Sequence, residues 1–160
     1  MYSILACFRP TMTLFPTPSS LEIPLQFRRS QDFYISATLT LNCAESLEIE
    51  AKWSIFNCTP NCTVQATIDP SINLTLNELF IPARTLSYGV YELKLTVTMQ
   101  ALSNLFSSQS AFVKINPSGI TANLVKFGTS LITSSYEENL ILDPGKHSIN
   151  PDETMFNASV

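Results

Sequence analysis

Apolar and polar residues alternate with a period of two along most of the middle of the chain. Five segments show this alternation, at residues 33–43, 47–55, 63–68, 90–99 and 111–115. Successive side chains of a strand point to opposite faces, so the pattern predicts half-buried β-strands. A helix would place Glu48 and Glu50 among the apolar residues of their segment, whereas a strand separates them cleanly. The sequence therefore predicts an all-β protein.

Turn residues separate the predicted strands, and no segment has the apolar spacing of an amphipathic helix. Such strands at regular intervals predict an antiparallel β-sandwich. Cys43 and Trp53 fall on the inward parity of consecutive strands, and Gly89 and Tyr91 lead into a later one. Immunoglobulin-like domains place a core tryptophan and a tyrosine corner in this order. We therefore predict Trp53 and Tyr91 as structural core residues, with an ordinary aromatic strand residue as the alternative for Tyr91.

The chain is expected to contain three regions. Residues 1–24 are rich in proline and predict an irregular lead-in or linker, with an edge strand near Leu21 to Leu25 as the alternative. Residues 25–117 are predicted to form the β-sandwich. Residues 118–160 contain three short strand-like segments, which are too few to bury two inner faces. This last region is predicted to be the start of a second, truncated sandwich.

Charge and hydropathy exclude several classes of protein. The net charge is −4 and the only adjacent basic pair is Arg28-Arg29, whereas nucleic-acid binding needs a basic face. No apolar stretch reaches the roughly 20 residues that a membrane-spanning helix requires. The apolar run from Ile4 to Phe8 is too short for a secretion signal. An extracellular domain with these residues is expected to be a piece of a longer chain or an isoform with an altered start.

The four cysteines could form a metal site, a redox-active pair or structural disulfides. Cys58 and Cys62 lie four residues apart, but no second pair with metal-ligand spacing exists, and His147 is the only histidine. A thioredoxin-type motif needs two intervening residues and a βαβ setting, which are both absent. We therefore predict structural disulfides among Cys43, Cys58 and Cys62. Cys43 could bond to Cys58 or Cys62, leaving the other for Cys7 or an outside partner, and a Cys58–Cys62 bridge is the alternative.

Four Asn-x-Ser/Thr triplets are candidate N-glycosylation sites. Their asparagines are Asn57, Asn61, Asn73 and Asn157. The first two triplets have the cysteines at their centres and could compete, and Pro60 makes the first a poorer acceptor. Most of the triplets fall in predicted turns or strand edges, where a glycan has room. The pattern indicates a secreted or extracellular glycoprotein.

No set of residues indicates catalysis. His147 lies in a turn-rich segment, and neither a phosphate-binding glycine loop nor a nucleophile motif occurs. The predicted domain is therefore not an enzyme and has neither a cofactor nor a metal site. Asp143, Asp152 and Glu153 could meet a calcium ion, because calcium takes oxygen ligands from loops. The alternative is that Asp143 and Asp152 organise turns through bonds to the backbone.

Several strings, in this order, resemble the receptor-for-egg-jelly module of the polycystin-1 family. They are FRRSQDFYISATLTLNC, AKWSIFNC, IPARTLSYGVYELKLTV, AFVKI and NLILDPGKHSINPD. The matching positions include Arg29-Ser30, Cys43, Trp53, the segment Pro82 to Leu93, and the segment Leu142 to Asp152. The resemblance covers about residues 25–155. It does not extend to the autoproteolysis region, the transmembrane helices or the lipid-binding domain of that family.

The resemblance implies tandem fibronectin- or immunoglobulin-like sandwiches on the extracellular side of the plasma or ciliary membrane. It implies a part of a multi-pass membrane receptor in ligand sensing or adhesion, or a structural spacer, with a calcium-channel subunit as partner in the same complex. The expected ligand is an extracellular protein or carbohydrate. The alternative function is a secreted carbohydrate- or protein-binding β-sandwich module without a membrane anchor.

Overall fold

The structure, a computed structural model, describes residues 7–16, 19–43, 48–124, 136, 139 and 141–153. The chain divides into two compact units, residues 1–116 and residues 117–160. The elements in chain order are β1 (Thr11–Phe15), β2 (Leu25–Arg28), β3 (Phe33–Thr40), β4 (Ile49–Asn57), β5 (Val64–Gln65), β6 (Glu78–Ile81), β7 (Gly89–Met99), β8 (Phe106–Asn116) and α1 (Pro144–His147). The prediction of a nearly all-β protein is confirmed.

The strands of the first unit form two sheets. The smaller sheet has the order β1-β3-β6, and the larger has the order β2-β8-β7-β4-β5. Every pair is antiparallel except β2 with β8, which run parallel from Leu25 opposite Val113 to Arg28 opposite Asn116. The wholly antiparallel arrangement that we expected is wrong at this pair. Its pairing joins distant parts of the chain, and alternation within one segment does not specify a distant partner.

One hydrophobic core lies between the inward faces of the two sheets. The smaller sheet contributes Leu14, Phe33, Ile35, Leu79 and Ile81. The larger sheet contributes Ala51, Trp53, Ile55, Tyr91, Leu93, Leu95, Val97, Ala111, Val113 and Ile115. These residues follow the parity that the alternation predicts for β3, β4, β7 and β8. Burial of this apolar surface, at roughly 25 cal/mol per Å², is the main force that holds the two sheets together.

Strand β1 lies within the region that we expected to be irregular. Leu14 is buried while Thr11 and Thr13 are exposed, so β1 has the alternation of a half-buried strand. Its backbone pairs with β3 from Thr11 opposite Thr40 to Phe15 opposite Ser36. The prediction of an irregular lead-in is therefore wrong for these five residues. A strand this short between prolines is stabilised by its partner more than by its own sequence.

Two other local predictions also need correction. Strand β6 was not predicted, although it pairs with β3 from Phe33 opposite Ile81 to Ser36 opposite Glu78. The predicted strand at residues 63–68 is reduced to the two residues of β5. Beyond β5 the chain follows the free edge of β4, where Ala66 N–H donates to Ile55 O and Trp53 N–H donates to Leu74 O. It then enters the smaller sheet at β6.

The second unit has little regular structure among its described residues. Thr121 and Ile149 form an isolated antiparallel bridge. The strand segments predicted at residues 122–128 and 130–135 lie largely outside the described residues. The segment predicted at residues 139–145 enters helix α1 instead, because Asp143 accepts a bond from Lys146 N–H at 2.9 Å and Pro144 follows it. An aspartate cap followed by proline is a common way to begin a helix.

Candidate functional site

Trp53 lies at the centre of the core of the first unit. It comes from β4, and only 1% of its surface is exposed. Its indole N–H donates a hydrogen bond to Leu76 O at 2.8 Å, so its polar group is satisfied inside the protein. Leu76 belongs to the segment that leaves the edge of β4 for β6. The side chain therefore fixes that connection as well as filling the core.

Tyr91 combines a buried ring with a hydrogen-bonded hydroxyl. The residue is 4% exposed, and its hydroxyl donates to Ser87 O, four residues upstream, at 3.1 Å. This is the geometry of a tyrosine corner, in which a strand-starting tyrosine bonds back to the preceding loop. Burial raises the pKa of Tyr91 above its ordinary value, although the bond with Ser87 and the charge of Arg29 act against the rise.

Two disulfides are present, Cys7–Cys43 and Cys58–Cys62. The Cys58–Cys62 bridge is the alternative that the sequence left open. Cys43 is bonded to Cys7 and not to Cys58 or Cys62, so the hairpin bridge that we considered first is wrong. The physical reason is that β3 and β4, though consecutive, belong to different sheets. Cys43 follows β3 and lies next to the segment that precedes β1. In this region Phe8 N–H donates to Asn42 O, which brings Cys7 beside Cys43.

The triplets at Asn57 and Asn61 surround the Cys58–Cys62 bridge. Asn57 ends β4 and is paired on both sides, with Val64 of β5 and with Tyr91 of β7. Its side-chain oxygen accepts a bond from Thr59 N–H at 2.9 Å. Asn61 is exposed, and its side-chain oxygen accepts a bond from the Thr63 hydroxyl at 2.6 Å. The two candidate acceptors therefore differ in accessibility.

The triplet at Asn73 lies on the edge of the larger sheet, away from either disulfide in sequence. Asn73 is exposed, and its side-chain oxygen accepts bonds from Thr75 N–H at 2.9 Å and from the Thr75 hydroxyl at 2.8 Å. Its neighbour Leu74 supplies the carbonyl that pairs with Trp53. A glycan on Asn73 would point away from the core without disturbing that bond. The fourth candidate, Asn157, lies outside the described residues.

An open, aromatic-rich pocket of about 530 Å³, which we call the aromatic pocket, lies beside the β2–β3 turn. Its lining consists of Phe15, Pro16, Phe27, Gln31, Asp32, Phe33, Tyr34 and Ser36. The rings of Phe27 and Phe33 stack with centroids 4.2 Å apart. Tyr34 is 60% exposed, and Asp32 and Gln31 add polar groups at the rim. Clefts of this size with a few convergent polar groups are typical of ligand sites.

Sequence reasoning missed the aromatic pocket. Its residues come from β1, β2, β3 and the loop residues next to them, and the unpredicted strand β1 brings Phe15 beside Ser36. The one local hint was the string Gln31-Asp32-Phe33-Tyr34, which puts an acid and an amide directly before two aromatic residues. The outward position of Tyr34 could be predicted from the alternation of β3. The pairing that completes the pocket could not.

Acidic side chains organise the turns of the second unit. Asp152 is 3% exposed and accepts bonds from Ser118 N–H at 2.8 Å and from the Ser118 hydroxyl at 2.5 Å. Asp143 caps α1, as described above. This is the turn-organising role that we gave as the alternative to calcium binding. Within the described residues, no group of three or more His, Cys, Asp or Glu side chains is placed to hold a metal ion.

These features describe a disulfide-bonded β-domain with a tyrosine corner and asparagine triplets at its surface. The family of the REJ domain, the receptor-for-egg-jelly module, matches residues 37–159, which is most of the chain. The chain therefore belongs to the REJ domain family, and the resemblance found from the sequence is confirmed. The match begins within β3 and includes both Trp53 and Tyr91.

Family and disulfides agree on the environment of the domain. REJ domains are extracellular in polycystins, and disulfides persist in oxidising compartments such as the extracellular space. In the part of the chain that the structure describes, no helix has the length and apolar character needed to cross a bilayer. The REJ assignment is consistent with a polycystin-1-like extracellular module.

Proposed function

We propose that this chain is a non-catalytic extracellular module of a polycystin-1-like multi-pass membrane receptor. The observation that carries the proposal is the REJ match over residues 37–159. The two disulfides support it, because they suit a domain that must stay folded outside the cell without chaperones. In this proposal the module senses a ligand or mediates adhesion, or acts as a spacer for a calcium-channel complex at the plasma or ciliary membrane.

The proposed architecture is a tandem of immunoglobulin- or fibronectin-like sandwiches. The first unit supports it through its two sheets, the buried Trp53 and the Tyr91–Ser87 bond. The first sandwich would end near Asn116, and residues 118–160 would begin a second. Strands β7 and β8 are paired from Gly89 opposite Ile115 to Thr98 opposite Phe106, which suits a module that acts as a spacer.

Localisation tests this proposal directly. Antibodies raised against the recombinant chain are used on intact and permeabilised cells that express the natural protein. Membranes from the same cells are then extracted with alkaline carbonate, which releases peripheral but not integral proteins. The proposal expects labelling of intact cells and an antigen that resists carbonate and is larger than 17.7 kDa. An antigen seen only after permeabilisation would rule the proposal out.

The second candidate is a secreted carbohydrate- or protein-binding module without a membrane anchor. The aromatic pocket favours a binding role, because exposed aromatic rings supply contact area and Asp32 and Gln31 supply hydrogen-bonding groups. This candidate expects the antigen in the culture medium and in the carbonate supernatant. The same fractionation therefore separates the two candidates.

Binding through the aromatic pocket is tested with arrays of glycans and of extracellular proteins. Tyr34→Ala should abolish most binding, because Tyr34 is the most exposed ring of the pocket. Phe106→Ala is the matched control, since Phe106 is similarly exposed but lies on β8 outside the pocket lining. Equal binding by the wild type and Tyr34→Ala would show that the aromatic pocket is not the binding site. It would leave the spacer role as the remaining function of the module.

A further inference from the structure

The two triplets in the stretch Asn57 to Thr63 are tied together by one covalent bond. Cys58 is the central residue of the first triplet and Cys62 is that of the second, and these two cysteines form a disulfide. Only Thr59, Pro60 and Asn61 lie between them. Neither triplet can extend while this ring is closed, because each is anchored at its middle residue. The Asn73 triplet has no covalent bond of this kind, and its middle residue, Leu74, is held by the hydrogen bond from Trp53 N–H.

The hydrogen bonds and packing around Asn57 make it the least accessible of the three. Its backbone lies between β5 and β7, and Cys58 N–H continues that pairing by donating to Val90 O at 2.8 Å. The Thr59 hydroxyl lies against Gly89, where an added Cβ would be 3.3 Å from its oxygen. Asn57 also lines a recess of about 330 Å³ with Tyr91. The first triplet is thus built into the sheet.

Asn61 and Asn73 form a natural comparison. Both side chains are exposed, and in both triplets the threonine hydroxyl donates to the asparagine side-chain oxygen. They differ in that Cys62 is bonded to Cys58, whereas Leu74 is an ordinary residue of the β4 edge. The Cys58–Cys62 bond is therefore a covalent constraint that the Asn61 triplet has and the Asn73 triplet lacks.

We propose that closure of the Cys58–Cys62 disulfide prevents N-glycosylation at Asn61 and Asn57, while Asn73 is glycosylated whether or not the bridge has formed. The inference rests on the proposed function, because it requires a chain that enters the secretory route. The oligosaccharide transferase must bind its acceptor triplet in an extended, accessible form, and the closed ring holds Asn61 in a tight loop. The redox state of one cysteine pair thereby selects the glycosylation pattern of the module.

Two reactions compete at this loop. In glycosylation, the Asn61 amide nitrogen forms a bond to C1 of the first sugar of a lipid-linked oligosaccharide. The C1–O bond to the lipid diphosphate breaks, and the amide nitrogen loses one proton. In closure, the two thiols lose two protons and two electrons to a disulfide-exchanging protein oxidant, which becomes a dithiol. If closure comes first, Asn61 stays without sugar.

Site-resolved glycan mapping tests the inference on the full 160-residue chain. The chain is expressed in mammalian cells behind an added secretion signal, and the whole translocated pool is analysed after enzymatic release of the glycans in heavy-oxygen water. In the wild type we expect Asn73 to be largely occupied and Asn57 and Asn61 to be largely empty. In Cys58→Ser/Cys62→Ser, which keeps both triplets intact, occupancy of Asn61 should rise several-fold, with a smaller rise at Asn57 because Pro60 follows its triplet.

The matched control is Cys7→Ser/Cys43→Ser, which removes the other disulfide and alters no triplet. Its Asn61 occupancy should equal that of the wild type. A rise as large as in the Cys58/Cys62 variant would show a general folding effect and overturn the inference. Full occupancy of Asn61 in wild-type chains, alongside Asn73, would also overturn it while leaving the proposed function intact. If translocated chains carry no sugar on Asn73, in addition to none on Asn57 and Asn61, the result would count against the inference and against the proposed function.

Discussion

Trp53 fills the core between the two sheets with its ring and bonds the connection that leads to β6 through its indole N–H. We predict that Trp53→Ala lowers the free energy of unfolding by about 3–5 kcal/mol, the usual loss for a large buried side chain. The measurement is urea denaturation followed by far-ultraviolet circular dichroism, because no other tryptophan is available for fluorescence. Phe80→Ala is the control, since Phe80 is 51% exposed and its loss should change stability by less than about 1 kcal/mol. An unchanged midpoint for Trp53→Ala would contradict the assignment.

The Tyr91 hydroxyl makes a separate, pH-dependent contribution. Because burial raises the pKa of Tyr91, the folded state keeps this proton at a pH where the unfolded chain has released it. The stabilisation that comes from the protonated Tyr91 hydroxyl is therefore fully present below about pH 10, the ordinary tyrosine pKa. It is lost as the pH rises through the higher pKa of Tyr91 in the folded state.

We predict that Tyr91→Phe is less stable at neutral pH by about 0.5–1.5 kcal/mol, the net value of the bond to Ser87. Its stability should also fall less steeply than that of the wild type above pH 10. Denaturation series at neutral and alkaline pH measure both effects. Tyr34→Phe, at an exposed position, should retain the wild-type pH profile. A Tyr91→Phe profile as steep as the wild type would exclude Tyr91 as the titrating group.

At the scale of elements, the two disulfides close loops of very different length. Cys7 and Cys43 are 36 residues apart, whereas Cys58 and Cys62 are 4 apart. Chain-entropy estimates give a stabilisation of about 4 kcal/mol for the longer loop and about 2 kcal/mol for the shorter. We predict that Cys7→Ser/Cys43→Ser lowers the melting temperature more than Cys58→Ser/Cys62→Ser. The reverse order, measured by calorimetry, would show that β1 is not anchored through Cys7.

In the second unit, Asp152 holds the turn at Ser118. Each hydrogen bond to a buried carboxylate contributes about 1.5–3 kcal/mol. We predict that Asp152→Ala, which removes both bonds to Ser118, lowers the local opening free energy by about 3 kcal/mol or more and so accelerates hydrogen exchange by more than about 100-fold. The readout is the amides of Thr121 and Ile149, which bond to each other's carbonyls at 2.9 Å. Asp143→Ala, which removes only the cap of α1, should leave these two amides unchanged, and an unchanged rate in Asp152→Ala would refute the prediction.

The sequence predicted the elements whose structure is determined by local residues better than those that depend on a distant partner. The alternation in β3, β4, β7 and β8 identified the strands and their buried faces, because burial of one face is encoded residue by residue. Strands β1 and β6 have only five and four residues, so their alternation is too short to predict a strand without the pairing with β3. Trp53 and Tyr91 were predictable from parity. The bonding of Cys43 to Cys7 required knowing that β3 and β4 belong to different sheets.

For the whole molecule, the proposed function requires an extracellular, disulfide-bonded REJ module. Peptide mapping without reduction tests it most directly, on the full chain secreted from mammalian cells behind an added signal. Tryptic cleavage after Arg29, Lys52 and Arg84 places Cys7, Cys43 and the Cys58–Cys62 pair on three different peptides. We predict one cross-linked pair of peptides containing Cys7 and Cys43, and one peptide containing an internal Cys58–Cys62 bridge. Four free thiols in a folded, secreted chain would contradict it.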